Sequence, residues 1–443
     1  MRIRLETIGC RLNIGEIDAM ARRLAAAGHR IARPGERAEL CILNTCTVTS
    51  IASKKSRQLI RQLRSADPGA AIVVTGCDAE LAPQEFLAAG VDLLVSNADK
   101  DRLLELIQSS GILREPDLDP EEATPFGPGE STRTRAFLKV QDGCDNRCAF
   151  CVITIARGAG RSLSAESILN EVRSVRRLGY QEVVLSGVHL GSYGHDLGDN
   201  RGLQSLVKRI LDETDVPRLR LSSLEPWDLD AAFFDVYASP RLQPHVHLPL
   251  QSGCDATLRR MARRTSNREF SNLVADLRSS VPDVSVSTDI IVGFPGESEE
   301  EFGQSLAFVE EMVFSRLHVF RYSRREGTPA ADMPAQVPGP VAQERSRRMH
   351  QLGIELERGF NSRFVGCELE VLWETSEESG DGLRWSGLTP NYIRVTATTS
   401  PDEDLLNRIT TTSITEVVPG GVVGRIRNSE FGIRDYRRGE AIR

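Results

Sequence analysis

The feature that most constrains the fold of this chain is an alternation of short apolar segments with helical periodicity. The first third of its 443 residues contains four such pairs. This alternation predicts a small parallel α/β sheet flanked by helices. The strands are predicted at 3–7, 40–43, 71–74 and 91–95, and the helices at 17–27, 50–63, 83–89 and 102–107.

A longer series of the same kind begins at residue 135 and contains six apolar segments separated by helical ones. Six units predict an incomplete barrel, (β/α)6, rather than the full eight units. The strands are predicted at 136–141, 182–187, 218–223, 245–250, 285–292 and 316–322. The helices between them are predicted at 165–178, 203–212, 228–236, 270–280 and 299–312.

Short β-like runs separated by turn residues fill the C-terminal part of the chain. They predict a small antiparallel β-barrel of about five strands, an architecture that often binds nucleic acid. The runs lie at 368–373, 383–385, 392–397, 408–417 and 422–426. The expected organisation is an N-terminal domain at 1–113, a Pro-, Gly- and acid-rich linker at 114–134, a core at 135–358, the barrel at 359–427 and a tail at 428–443.

Three cysteines follow the first strand of the second series with the spacing C-x-x-x-C-x-x-C. We call Cys144, Cys148 and Cys151 the core triplet. Thiolates are preferred ligands of iron–sulfur clusters, and three of them leave one iron of a four-iron cluster open. Structural zinc sites usually close with four ligands, which weakens the zinc interpretation without removing it.

Three further cysteines each follow a strand of the first series. We call Cys10, Cys46 and Cys77 the N-terminal triplet. Because loops at the carboxyl ends of parallel strands line one edge of a sheet, these thiols are expected to converge. Three independent buried thiols are the alternative, but that reading does not explain their equivalent positions. Cys41 lies within the second strand and is expected to pack in the core.

Polar residues and glycines are also expected at the ends of the barrel strands. Gly187 closes the second strand, residues 251–253 follow the fourth and the sequence GFPGE at 293–297 follows the fifth. Together they favour a small polar cofactor, although GFPGE could equally be a turn into a helix. His245 and His247 alternate on one strand, and we interpret them as structural histidines rather than metal ligands.

Composition restricts the location and partners of the chain. Nine cysteines without a signal-like segment at residues 1–6 predict a reduced, cytoplasmic protein. No apolar stretch approaches the ~20 residues of a membrane span. The net charge of −7 does not itself indicate nucleic-acid binding. Local Lys/Arg clusters at 54–64, 259–264, 321–325 and 345–348 are weak signals, since most such clusters are solvated helix faces.

Several motifs together resemble the radical S-adenosylmethionine methylthiotransferases. They are the core triplet with its Arg157–Gly158 and Arg161–Ser162 continuation, TIGCRLN (7–13), NTCTVT (44–49), TGC (75–77), LPLQSGCD (248–255) and TDIIVGFPGE (288–297). NTCTVT, GVHLGSYG (187–194) and GLTPNYIRV (387–395) look most like the branch that modifies N6-threonylcarbamoyladenosine 37 of tRNA. Thr154, Ile155 and Asp78 depart from the usual residues of the family.

The resemblance implies an enzyme with two 4Fe–4S clusters that inserts a methylthio group at C2 of the adenine. The core triplet would hold the cluster that chelates and cleaves S-adenosylmethionine, and the N-terminal triplet the auxiliary cluster that presents the sulfur. It also implies an electron donor such as flavodoxin or ferredoxin, and a TRAM-like barrel that contacts the tRNA anticodon loop. Residues interpreted as cofactor contacts are Phe150, Gly187, Glu225 and Ser252.

Three alternatives remain open from the sequence. Within the family, the substrate could be isopentenyladenosine 37 of tRNA or a side chain of a ribosomal protein. Both triplets would be present in each case, so the cysteines do not separate these substrates. Outside the family, a zinc-stabilised RNA-binding protein without catalytic activity would also use clustered cysteines.

Overall fold

The computed structural model of the protein describes residues 1–33, 35–113, 126–129, 133–380 and 382–427. The predicted linker lies mostly outside these residues, and the predicted tail lies entirely outside them. No helix in the described ranges is long and apolar enough to cross a membrane.

The N-terminal domain is a five-stranded parallel sheet with the strand order β2-β1-β3-β4-β5. Its strands are β1 (Arg2–Thr7), β2 (Arg30–Ile31), β3 (Leu40–Thr45), β4 (Ala71–Gly76) and β5 (Leu93–Val95). Its helices are α1 (Arg11–Ala26), α2 (Ser50–Ala66), α3 (Cys77–Leu81), α4 (Pro83–Ala88) and α5 (Leu103–Ser109). Central strand β3 is buried along its whole length, as expected when helices cover both faces.

Three features of this domain differ from the sequence prediction. Strand β2 is an additional edge strand, and two residues are too few to produce a periodic signal. Helix α3 is also additional, and its five residues are likewise too few. Helix α1 begins at Arg11 rather than at residue 17. Its first turns bury the polar residues Asn13 and Glu16 beside apolar side chains. Buried polar residues hide the apolar periodicity on which the prediction rested.

The core contains six parallel strands in sequential order, which confirms the partial barrel. They are β6 (Arg135–Lys139), β9 (Glu182–Ser186), β10 (Arg218–Leu221), β11 (His245–His247), β12 (Ser285–Val292) and β13 (Arg316–Arg321). Two three-stranded sheets are joined between β10 and β11 by single bridges such as Ser223–His247. A short antiparallel pair, β7 (Gln141–Asp142) and β8 (Arg161–Ser162), lies beside the end of β6.

Short helix α6 (Ile153–Arg157) follows the core triplet and packs against α3 of the N-terminal domain. The other helices of the core are α7 (Ala165–Arg177), α8 (Gly202–Glu213), α9 (Ala231–Phe234), α10 (Asp255–Arg260), α11 (Asn267–Ser280), α12 (Glu299–Met312) and α13 (Gly339–Ser362). Helix α13 packs along the outer strand β13, and α1 of the N-terminal domain packs along β6. At Gly15 of α1 an added Cβ would lie 2.8 Å from the carbonyl oxygen of Phe137, so this contact requires a glycine.

The C-terminal domain is a closed five-stranded barrel, as predicted. Its strands are β14 (Glu368–Ser379), β15 (Gly382–Leu388), β16 (Arg394–Thr399), β17 (Ile409–Val418) and β18 (Gly421–Ile426). Four of its strand pairs are antiparallel, but β16 and β18 run parallel. The β15–β16 turn contacts the core, where Arg218 and Arg220 donate to the carbonyl oxygens of Leu388 and Pro390 at 3.2 and 3.0 Å.

Candidate active site at the two cysteine triplets

The N-terminal triplet lies at the carboxyl edge of the first sheet. Cys10 precedes α1, Cys46 follows β3 and Cys77 is the first residue of α3. Gly9 and Gly76 precede two of them with φ angles of +131° and +106°. A Cβ on Gly9 would lie 2.6 Å from the Cβ of Cys46, and one on Gly76 would lie 2.3 Å from the carbonyl oxygen of Thr45. Glycine therefore permits the close approach of these loops.

The core triplet lies in a loop that is fixed by main-chain hydrogen bonds. Cys144 N donates to Gly158 O at 3.0 Å, and Cys151 N donates to Cys148 O at 3.1 Å. Ala149 N also donates to Met261 O at 2.9 Å, which ties the loop to the segment after α10. The loop therefore has a defined conformation at the end of β6, the position predicted from the sequence.

The thiols of each triplet are close enough to interact electrostatically with one another. Burial raises the pKa of Cys46 and of Cys151 to about 12 and also raises the pKa of Cys77 and Cys148. In the described ranges, no three His, Cys, Asp or Glu side chains already adopt a metal-binding arrangement. The donor sets fit iron–sulfur clusters, because thiols rather than oxygens or imidazoles dominate them.

Charged residues contact the core triplet on two sides. Arg263 forms a two-point ion pair with Glu225 at 3.2 and 2.6 Å, and its Nη1 lies 3.7 Å from Cys148 Sγ. His189 Nε2 lies 2.5 Å from an Asp228 carboxyl oxygen. Burial alone would lower the pKa of His189, but hydrogen bonds to Asp228 and Cys144 raise it to about 10. Arg263 therefore places positive charge beside the sulfur of Cys148, and His189 does so beside the sulfur of Cys144.

The N-terminal triplet faces a buried group of charged residues that comes from both domains. Arg157 of the core donates from Nε to Cys77 Sγ at 3.0 Å and from Nη1 to Glu16 Oε1 at 2.9 Å. Lys100 Nζ donates to the same carboxyl group, at Oε2, at 2.6 Å. The pKa of Glu16 therefore lies well below its usual value even though burial alone would raise it.

The four predicted cofactor contacts all lie near the barrel rim but already have protein partners. Phe150 packs edge-to-face on Phe294, with ring centroids 6.5 Å apart. Ser252 is buried, and its Oγ accepts from Cys254 N at 3.2 Å. A Cβ on Gly187 would lie 2.9 Å from Gln141 Oε1, so side-chain packing already accounts for the glycine. The carboxyl group of Glu225 is bound by the arginine described above.

The predicted structural histidines are bound by protein groups. His245 Nε2 and His247 Nδ1 lie 3.1 and 2.9 Å from Ser287 Oγ. Cys41 is fully buried in β3, as expected for a core thiol. In the GFPGE segment, Glu297 accepts from Gly293 N at 2.6 Å and pairs with Arg345 at 2.8 Å. GFPGE is therefore a turn that anchors α13 to the rim.

The residues that depart from the family pattern either contact polar groups or are exposed to solvent. Asp78 is buried beside Thr47 and Ser53, and both hydroxyl groups also accept from Arg325. Thr154 Oγ1 donates to the carbonyl oxygen of Asn146 at 3.2 Å, and Ile155 is exposed. The cysteine loops are therefore maintained with these substitutions present.

Sequence reasoning did not identify Lys100, His189 or Arg263 as site residues. None of them lies within a cysteine motif, and their partners are 38 to 84 positions away in the chain. Arg157 was recognised only as part of a motif. Its distance of six residues from Cys151 was an available signal that the side chain belongs to the site.

Two family models match this chain. Residues 2–96 match the description "Uncharacterized protein family UPF0004", and residues 138–309 match "Radical SAM superfamily". The two matches contain the N-terminal and core triplets, respectively.

Curated relatives cover most of the chain. A threonylcarbamoyladenosine tRNA methylthiotransferase from Bacillus subtilis is 35% identical over 92% of this chain and 92% of its own length. The corresponding protein of Thermotoga maritima is 38% identical over 84% and 86%. A tRNA-2-methylthio-N(6)-dimethylallyladenosine synthase from Thermobifida fusca is 32% identical over 99% and 90%.

Among solved structures, the fold is similar to that of the radical S-adenosylmethionine methyltransferase TsrM from Kitasatospora setae. Its complex with tryptophan and an S-adenosylmethionine analogue gives a TM-score of 0.56 at 15% identity. The match covers 74% of this chain and 75% of that chain. At this identity the similarity concerns the fold alone.

Proposed function

The chain belongs to the radical S-adenosylmethionine methylthiotransferase family, and we propose that it inserts a methylthio group at C2 of N6-threonylcarbamoyladenosine 37 in tRNA. The observation that carries this proposal is the pair of cysteine triplets, one on each sheet, on either side of a buried ionic contact. One triplet suits generation of a radical, whereas two separate sites suit transfer of sulfur to a carbon that a radical has activated.

The proposed substrate rests on the relatives named for threonylcarbamoyladenosine, which are 34–38% identical over 84–92% of this chain. The relatives named for dimethylallyladenosine are 32% identical over 86–99% of the chain. Isopentenyladenosine 37 is therefore the second candidate substrate. A ribosomal-protein side chain is a third possible substrate.

Six cysteines are proposed as the cluster ligands. The core triplet would hold a cluster whose chemistry is reductive cleavage of S-adenosylmethionine, and the N-terminal triplet would hold a second cluster that provides sulfur. Arg263 and His189 place N–H groups and positive charge near the core thiols, which favours an anionic cluster there. Phe150, Gly187, Glu225 and Ser252 remain proposed contacts of S-adenosylmethionine, and binding would require Glu225 to share or leave its arginine.

The proposed RNA-binding part is the barrel at 359–427 together with basic residues of the core. An open groove of about 670 Å³ lies between β13 and α13 and is lined by Arg321 and Arg347 among others. Cationic groups of this kind suit the phosphates of an anticodon stem and loop. Residues 1–113 and 135–358 are the proposed cluster-binding domains. A cytoplasmic location and a flavodoxin- or ferredoxin-type donor follow from the proposed reaction.

The substrate is tested by mass spectrometry of tRNA nucleosides from a deletion strain. Loss of 2-methylthio-N6-threonylcarbamoyladenosine, restored by the gene, is the expected result. Loss of the isopentenyl derivative instead would establish the second candidate. Unchanged tRNA with an altered ribosomal protein would establish the third.

The metal content is tested on protein purified without oxygen. About eight irons per chain with matching sulfide are expected for two clusters. Zinc without sulfide would reject the enzyme and favour a zinc-stabilised RNA-binding protein.

The division of roles between the triplets is tested by single substitutions. Cys144→Ala should abolish cleavage of S-adenosylmethionine. Cys46→Ala should retain cleavage and lose sulfur insertion. Sulfur insertion by the Cys46 variant would contradict the assignment.

The role of the barrel is tested by removing the residues after Arg358. The truncated protein should bind tRNA more weakly, and the full chain should lose affinity as salt rises. Equal affinity with and without the barrel would reject its role in binding.

A further inference from the structure

Arg157 is a core residue whose side chain ends in the N-terminal domain. It is the last residue of α6, six positions after the final cysteine of the core triplet, and only 4% of it is exposed. A guanidinium group carries five N–H donors in a fixed planar fork. In a buried position each donor without a partner would cost free energy, so the identity of the partners is informative.

In the described part of the chain, the guanidinium group of Arg157 makes five hydrogen bonds, which go to Cys77, to helix α1 after Cys10 and to Asp142 just before the core triplet. Nε donates to Cys77 Sγ at 3.0 Å, and Nη1 donates to Glu16 Oε1 and Asp142 Oδ1 at 2.9 Å each. Nη2 donates to Asn13 Oδ1 at 3.0 Å and to Glu16 Oε2 at 3.2 Å. Only one of these acceptors, Asp142, belongs to the core. The remaining acceptors belong to the N-terminal domain.

Two of these acceptors extend the contact to the other ligands. Asn13 Nδ2 donates to Ile8 O and Thr45 O at 2.9 Å each, in the segments just before Cys10 and Cys46. Asp142 Oδ1 accepts from Gly143 N at 2.8 Å, immediately before the core triplet. Arg157 therefore contacts the proposed ligand Cys77 directly. Asn13 links it to the segments before Cys10 and Cys46, and Asp142 links it to the start of the core triplet.

Arg157 presents a positive charge directly to the sulfur. Around it, three cationic side chains meet three carboxyl groups: Arg157, Lys100 and Lys139 with Glu16, Asp101 and Asp142. Asp101 is mostly exposed, so its negative charge lies toward solvent. Cys77 is neutral as a thiol but carries negative charge as a ligand of iron, so a bound cluster would give the Arg157 Nε–H group an anionic partner.

We propose that Arg157 is a positioning residue that sets the N-terminal triplet in register with the core triplet and stabilises the reduced auxiliary cluster. The guanidinium fork fixes the distance and direction between the two loops. Its positive charge favours the reduced form of the auxiliary cluster, which carries the larger negative charge. This inference rests on the proposed function only in assuming that both triplets hold clusters. It gives Arg157, the arginine of the Arg157–Gly158 motif, a role in contacting the N-terminal domain.

The test compares Arg157→Gln, which removes the charge, with Arg157→Lys, which keeps the charge and removes the fork. Arg345→Gln is the matched control, because Arg345 is also buried but pairs with Glu297 and Glu299 rather than with a cysteine. Two quantities are measured on the anaerobic holoenzyme. They are the ratio of 5′-deoxyadenosine to methylthiolated nucleoside and the midpoint potential of the auxiliary cluster by redox titration with electron paramagnetic resonance.

Both Arg157 variants should make at least about ten times more 5′-deoxyadenosine per product, since a lost hydrogen bond to a charged group changes an equilibrium by about that factor. The midpoint potential of the auxiliary cluster should also be lower in the glutamine variant. In the lysine variant it should stay close to that of the unsubstituted enzyme. The control should change neither quantity. A glutamine variant with both quantities unchanged would overturn the proposal.

A metal-free measurement keeps the test decisive if the glutamine variant fails to assemble clusters. Alkylation of Cys77, mapped by mass spectrometry, should be at least about tenfold slower than in the unsubstituted apoprotein, because the reactive thiolate loses the positive charge that contacts it. Cys41 in β3 reports global unfolding and should remain unlabelled. Unchanged labelling of Cys77 would overturn the proposal. Unsubstituted protein with fewer than two clusters would instead contradict the proposed function.

Discussion

Tyr392 connects all three domains, and its phenol should titrate below the usual range. It lies in the β15–β16 turn with a φ angle of +68°. Its Oη accepts from Arg11 at 3.0 Å and from Arg135 at 3.3 Å. Its ring stacks on His245 at 4.3 Å and lies 4.8 Å from the guanidinium carbon of Arg220. Burial would raise the pKa of Tyr392, but the arginines outweigh it and lower the pKa to about 8.

The pKa shift predicts how the free energy of unfolding depends on pH. The folded pKa of this acid is below its ordinary value of 10. The extra stability is therefore complete above pH 10 and is lost as pH falls through 8. At pH 7 the phenol is neutral in both states, and Tyr392→Phe should cost roughly 1.5–3 kcal/mol for hydrogen bonds to charged groups. At pH 9.5 the loss of unfolding free energy caused by Tyr392→Phe should be about 2 kcal/mol larger, because the pKa of Tyr392 is about two units lower in the folded than in the unfolded protein.

The assay is urea unfolding at pH 7 and pH 9.5, followed by tryptophan fluorescence. Two of the three tryptophans, Trp373 and Trp385, lie in the C-terminal barrel, so the signal reports mainly on that domain. Tyr193→Phe is the control, because burial raises the pKa of that phenol to about 12. Its effect should be nearly the same at both pH values. An equal cost of Tyr392→Phe at pH 7 and 9.5 would refute the reasoning.

Three further substitutions test other parts of the structure. Glu182→Gln should lower the free energy of unfolding by about 3–5 kcal/mol in urea, because it leaves fully buried Arg220 without its charged partner. An effect below 1 kcal/mol would contradict this. Burial raises the pKa of Asp18 from its ordinary value of 3.8 to about 6, so Asp18→Asn should raise the melting temperature at pH 8 but not at about pH 2.5, where the carboxyl group is protonated in both states. Gly76→Ala should lower the unfolding midpoint and about halve the iron content, whereas Gly69→Ala, in open space, should change neither.

The sequence was sufficient to predict the strand order of the core and the position of Cys41 and of both cysteine triplets relative to their strands. These features depend on local periodicity and on the rule that parallel strands present their carboxyl ends together. The same reasoning predicted that Cys41 would be a core residue and that His245 would be structural. Each conclusion needed only the position of a residue within its own element.

The polar contacts between domains could not be predicted in this way. Tyr392 meets Arg11 across 381 positions, and Arg157 meets Asn13 across 144. Such pairs leave no periodic pattern, and a lysine such as Lys100 looks like a surface residue in the sequence although it is 2% exposed. Burial of a charged side chain is decided by its partner, and the partner is known only from the fold.

The distribution of apolar and polar residues explains why these contacts are ionic. Each sheet has its own apolar cores, so among the residues that the structure describes no common hydrophobic core joins the two cysteine-bearing edges. Hydrophobic packing is non-directional, whereas a guanidinium fork fixes the distance and the angle of its partners. Replacing a buried ionic group with apolar side chains is often neutral for stability. The presence of Glu16, Lys100 and Arg157 between the edges is therefore better explained by the orientation they impose on the two triplets than by the stability they add.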